Sequence, residues 1–216
     1  MRAALDVIWQ SLEDWWNSMV TLAVLNAIWL GLSLTIVLFA PATIGLYAVT
    51  NGLAHGTGQH LPDFVHAMRR YAWISLRLAL VNLLIGAILY VNLSFYGAAR
   101  GALASFILVG LVCLAVLWLA MLFYTGPFLI EQEDKRLRLA LRNAVFLALA
   151  TPVYTLTMLA AAALAITLSV VTILPVAVFT LSFLALLGNR AVIERLSTFG
   201  KLPRSDQPPP AGDEAS

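Results

Sequence analysis

Three observations predict an all-α fold: a polytopic membrane helical bundle of about five transmembrane helices, N-terminus outside and C-terminus in the cytoplasm. The first is composition. Of 216 residues, 61% are apolar and 11% charged, and the mean hydropathy is +0.89. A soluble domain is nearer half apolar and one quarter charged. Such a chain cannot cover its outside with polar groups, so part of its solvent is lipid. The second observation is the spacing of charge, which leaves long uncharged runs without the period-two alternation of a membrane barrel strand. The third is an asymmetry of Lys and Arg between the segments that join those runs.

Residues 1–18 read as an interfacial amphipathic helix on the outer leaflet. Ala4, Ile8, Leu12 and Trp15 share one helical face with Trp9 and Trp16 nearby. A lone Arg2 followed by Asp6, Glu13 and Asp14 is no cleavable signal. After Asp14 no charge appears until Asp63. Pro41 and the glycines at 52, 56 and 58 divide that run, giving a span over Met19–Ala40 and a polar-leaning loop after Val49. Leu78–Ala99 and Gly101–Ile130 are each long enough for one helix, since roughly 20 apolar residues cross about 30 Å of hydrocarbon. They give spans at Trp73–Tyr96 and Ala102–Tyr124. The 47 uncharged residues from Asn143 to Asn189 would reach roughly 70 Å as one helix. They divide into spans at Val145–Leu168 and Leu174–Arg195, with Pro175 in a first turn, where its missing N–H is no loss. The transmembrane domain therefore occupies residues 19–196. After it, residues 197–216 form a disordered cytoplasmic tail, polar and carrying Pro208-Pro209-Pro210.

With five spans, Arg2 and Arg100 fall on one side of the membrane. Arg69, Arg70, Lys135, Arg136, Arg138, Arg142, Arg190, Arg195, Lys201 and Arg204 fall on the other. The ten mark the cytoplasmic face. A net charge of +2 is too balanced to suggest nucleic acid. The single Cys113 lies in an apolar run and forms no intrachain disulfide.

The first junction carries a resemblance. Leu25-Asn26 with Trp29-Leu30, then Pro41-Ala42-Thr43, Gly45-Leu46-Tyr47 and Asp63-Phe64, resemble the YesL-like family, bacterial integral membrane proteins with a domain of unknown function. The resemblance covers roughly residues 20 to 190. It implies about five membrane helices, a multi-pass place in the bacterial plasma membrane, and genes beside carbohydrate importers of the ABC class. It supplies no activity or catalytic residue.

Reactive constellations are sparse. Only Glu194, at the end of the last span, puts a carboxylate or histidine within a predicted span. Proton carriers and intramembrane proteases need such groups in the bundle. No Gly-x-x-x-x-Gly-Lys loop occurs. The chain is therefore expected to be non-enzymatic and without a cofactor. His55, His60 and His66, with Asp63, fall in one Gly-rich loop, and their spacing favours a solvated loop over a metal site.

Four residues are candidates for binding. Asn26 is an amide in an apolar helix that needs a partner, either as interhelical glue or in a ligand site. Thr43 and Tyr47 offer hydroxyls at the Pro41–Tyr47 turn, where a discontinuous helix resembles those lining transporter sites. Arg77 is either a snorkelling anchor or an anion contact at the bundle mouth. Asn82 and Asn92 are read as interhelical glue. Two functions follow. The first is a non-enzymatic accessory or regulatory membrane protein, partnered by the lipid bilayer and an ABC transporter membrane subunit. The alternative is a small transporter or substrate-binding membrane subunit using Asn26, Thr43, Tyr47 and Arg77.

Overall fold

The computed structural model describes residues 2–57, 61–132, 135–172 and 179–200. His60, Pro175 and the tail after Leu202 lie outside the described residues. Within them are eight α-helices and no strand: α1 (Arg2–Asn17), α2 (Met19–Ser33), α3 (Phe39–Ala54), α4 (Leu61–Ala98), α5 (Ala102–Glu131), α6 (Leu137–Ala150), α7 (Pro152–Thr172) and α8 (Leu181–Thr198). Three of these, α4, α5 and α7, are long and apolar enough to cross a membrane, and α1 with α2 makes a fourth if that bent pair counts as one span. A helical membrane bundle is thus the architecture, with three or four candidate spans among the described residues.

The uncharged run from Leu78 becomes the second half of α4, and that from Gly101 becomes nearly all of α5. Both helices are longer than the expected spans. α4 begins with Asp63 in its first turn, favourable beside the positive helix end, and continues for 38 residues, about 57 Å. The two helices join at residues 99–101, where Gly101 takes φ +121 as the N-cap of α5. Glycine alone adopts that conformation without a Cβ penalty. Trp118 of α5 donates to Asn82 Oδ1 of α4 across the pair at 3.2 Å, as interhelical glue should. Asn92 instead donates to Ile88 O of its own helix at 2.8 Å, so its expected role across helices is not seen.

Elsewhere the expected boundaries shift. The single span Met19–Ala40 is broken at residues 34–38, where Ile36 has φ +56. A left-handed residue cannot continue a right-handed helix. The expected loop after Val49 is helical to Ala54, and α3 carries much of the core: Ala42, Ile44, Leu46, Val49 and Thr50 are buried. Pro41 lies in its first turn, where no helical donor is lost. α3 packs on α2, α4, α5 and α8. The fourth span does not begin at Val145. α6 ends at Ala150, and Pro152 opens α7 as its first residue, because proline cannot donate to the preceding turn. Thr151 between them accepts no helical geometry (φ −133) and bonds back to Leu147 O at 3.0 Å.

α1 meets α2 at 89° and packs mainly on α8. The covered face is Ala4, Val7, Ser11 and Trp15, while Leu12 is exposed with Trp9 and Trp16. The expected face was therefore rotated by about one residue. Arg190 donates to Asp14 through both Nε (2.8 Å) and Nη2. The charge count had set these residues on opposite membrane faces. A pair in bonding contact shares one depth, so α1 does not lie across the bilayer from Arg190.

Candidate functional site

The polar side chains of the bundle collect along α8, because that helix is the common neighbour of α1, α2 and α3. Three successive contacts form a seam. In the first turn of α8, Ser182 Oγ accepts from Trp15 Nε1 at 3.1 Å, while the Ser182 N–H donates to Asn26 Oδ1 at 3.2 Å. Two turns further, Asn189 Nδ2 donates to Tyr47 O and to Thr50 Oγ1, both at 2.9 Å. Next to it, Arg190 holds Asp14. Asn26, Ser182 and Asn189 are wholly buried. Such bonds between membrane helices contribute about 0.6 kcal/mol on average and up to roughly 1.7.

The candidates divide accordingly. Asn26 ties α2 to the first turn of α8 by accepting from the Ser182 N–H. Thr43 Oγ1 accepts from Trp29 Nε1 at 3.0 Å and donates to Phe39 O at 2.7 Å, closing the corner between α2 and α3. Tyr47 contributes its ring more than its hydroxyl. A Cβ on Gly126 would stand 2.7 Å from Tyr47 Cε2, and one on Gly188 3.7 Å from Tyr47 Cε1. The ring fills space that two glycines on α5 and α8 leave open. These three residues belong to one layer of α2, α3 and α8. Arg77 does not join them. It is exposed on α4 with its guanidinium 5.1 Å from the Trp73 ring centroid, one turn away. That is the geometry of an interfacial anchor.

A polar cluster missed in the sequence joins α3 to α5. Glu131 Oε2 accepts from Asn51 Nδ2 at 2.8 Å and lies 3.0 Å from His55 Nε2. His55 is thus tied to a helix end rather than free in a solvated loop. Nearby, Lys135 donates to Ile130 O. Burial, and then the Arg70 guanidinium, hold the Lys135 ammonium below its ordinary pKa, with Glu131 opposing. Among the described residues no three His, Cys, Asp or Glu side chains gather as a metal site. Asp14 and Arg190 were legible only as charges, because their partnership spans 176 positions.

Two helices of that layer, α2 and α3, come from the segment with the Asn–Trp and Pro-x-Thr-x-Gly-x-Tyr signals, and α8 supplies the third. Residues 22–93 match the family DUF624, a protein of unknown function. This agrees with the YesL-like resemblance over α2, α3 and most of α4, and it ends at residue 93 where the resemblance had been drawn to about 190. No curated protein and no solved structure matches the chain. The DUF624 segment contains all four candidate binding residues: Asn26 is buried, Thr43 and Tyr47 are half-buried, and Arg77 is exposed.

Proposed function

We propose that the chain is a non-enzymatic accessory or regulatory protein of a bacterial plasma membrane, associated with the membrane subunit of a carbohydrate ABC importer. The observation that carries the first half is the use made of the polar residues. Asn26, Thr43 and Asn189 each hold one helix to another, so the bundle centre reads as a scaffold rather than a solute path. The importer association rests on the family resemblance. A surface for it is the α4–α5 pair, whose outer parts expose Leu80, Leu84, Ile88, Phe106 and Val109. The face bearing Arg69, Arg70, Lys135 and Arg138 is read as cytoplasmic on charge.

A photo-crosslinking residue at Leu84 or Phe106, both exposed, tests the reading against one at Leu46, which is wholly buried. The expected result is a crosslink to an ABC permease from the two outward positions and none from Leu46. A purified chain that retains a stoichiometric solute, and moves it into sealed vesicles without a partner, would establish the small-transporter alternative instead.

A further inference from the structure

A cavity of about 320 Å³ opens between α5, α6 and the end of α8, lined chiefly by Phe128, Asn143, Phe146, Leu147, Arg195 and Phe199. Its size is at the lower end for small-molecule sites, which run from roughly 300 to 1,000 Å³. Its chemistry is two-sided. Phe128 and Leu147 form a buried apolar wall, and Phe146 and Phe199 are exposed at the rim. Against them stands one permanent cation. The Arg195 guanidinium lies 3.6 Å from the ring centroid of Tyr154 on α7. Its Nε is shut off from water and has no hydrogen-bond partner. A buried guanidinium donor without an acceptor is an incomplete arrangement, since leaving that bond unmade is costly.

The exposed stripe of α6 sets the depth of this cavity. It reads Arg138, Arg142, Phe146, Leu149, basic and then apolar over three turns. A helix passing from the headgroup layer into hydrocarbon shows that gradient, because cations near lipid are stable only where they reach water or phosphate. The change of character falls beside Asn143, a polar member of the cavity lining. Arg195 and Asn143 therefore face the headgroup layer, with the aromatic wall on the hydrocarbon side.

We infer that this cavity is a binding site for an anionic amphiphile, an acyl chain headed by a phosphate or carboxylate. The head accepts from Arg195, whose planar fork matches either group, and from the Asn143 amide. The first stretch of the chain lies along Phe128, Leu147 and Phe146. The enclosed volume is too small for a whole phospholipid, so the rest of the chain continues past the exposed Phe146 and Leu149 into the bilayer. Such a head has two sources, a bilayer phospholipid or a free fatty acid. The site does not depend on the accessory role proposed above.

Native mass spectrometry of the full chain in detergent decides the matter, with phosphatidylglycerol, palmitate or dioleoylglycerol added separately. Retention of one equivalent of phosphatidylglycerol or of palmitate is expected, the one retained naming the source, with dioleoylglycerol lost. Arg195→Gln keeps the polarity and removes the charge, and lowers retention by roughly tenfold or more. Ala150→Phe fills the cavity from its exposed lip without touching the cation and has the same effect. If Arg195→Gln does not fold, Ala150→Phe decides alone. Equal retention of dioleoylglycerol, no retention of either anion, or unchanged retention in a folded Ala150→Phe variant overturns the assignment.

Discussion

Gly126 is occupied by a neighbour: the Tyr47 ring stands where its side chain would be. Gly126→Ala should therefore lower the thermal midpoint, by an overpacking cost of about 1–3 kcal/mol. Gly110→Ala, with nothing within 4 Å, should leave it unchanged or raise it, since alanine favours helix by up to about 1 kcal/mol. Equal effects at the two glycines would remove the wedge from the account. Arg77→Lys should hardly change stability, because the exposed side chain beside Trp73 only needs to reach the interface. A large loss in detergent without lipid would show a bidentate role that lysine cannot fill. Lys135 gives a pH dependence. Its folded pKa lies below the ordinary 10.5, so between those two values the unfolded chain binds more protons and stability rises with pH. Thermal midpoints of the wild type should climb as 10.5 is approached, and those of Lys135→Met should not follow. At this scale residue identity was readable and residue use was not. Tyr47 stood out in the sequence for its hydroxyl, whereas its ring does the packing, and the glycines it needs lie 79 and 141 positions away. The exposure of Arg77 beside Trp73 follows from its own helix alone.

Helices were legible where charge and length decide. The apolar runs of α4 and α5 are bounded by charge, and each is long enough for one helix only. The break at Ile36 carries no such sign. A β-branched residue with φ +56 is strained in the left-handed region, and neither Gly nor Pro marks the corner until Pro41. The corner is imposed by tertiary contacts, among them the Trp29 bond to Thr43 and the Trp29–Phe39 ring contact at 5.7 Å. Ile36→Gly should consequently stabilise the protein by about 1 kcal/mol, read as a higher thermal midpoint. Ile36 is 83% exposed, so little packing is lost in exchange. A lower midpoint would mean that its side chain contributes more in the membrane than the backbone strain costs. Pro152 was visible, but the apolar residues on both sides concealed the end of α6. Composition alone does not distinguish a kink in one span from a junction between two.

The molecule as a whole has one basic end and one nearly uncharged tip at Arg100, separated by the length of α4. Single cysteines in a Cys113→Ala background report on this with a membrane-impermeant thiol reagent. Arg100→Cys should label in intact cells, and Thr198→Cys only after the membrane is opened. Glu13→Cys, exposed and beside Asp14, should behave as Thr198→Cys does, because Asp14 shares its depth with Arg190. Ser11 is wholly buried and is a poor reporter. Labelling of Glu13→Cys and Thr198→Cys from opposite sides would separate α1 from the end of α8. The charge count alone did not reveal this closure, since a pair 176 residues apart leaves no local pattern. That separation also fixes an order in time. A ribosome adds about 5–20 residues per second, so α1 waits roughly 10–35 s between its own emergence and that of Arg190. Over this interval Asp14, Ser11 and Trp15 have no α8 to rest on, while α4 and α5 already have each other. Made well before its main partner, α1 is thus among the last helices to dock, and any chain interrupted before α8 leaves its buried face uncovered.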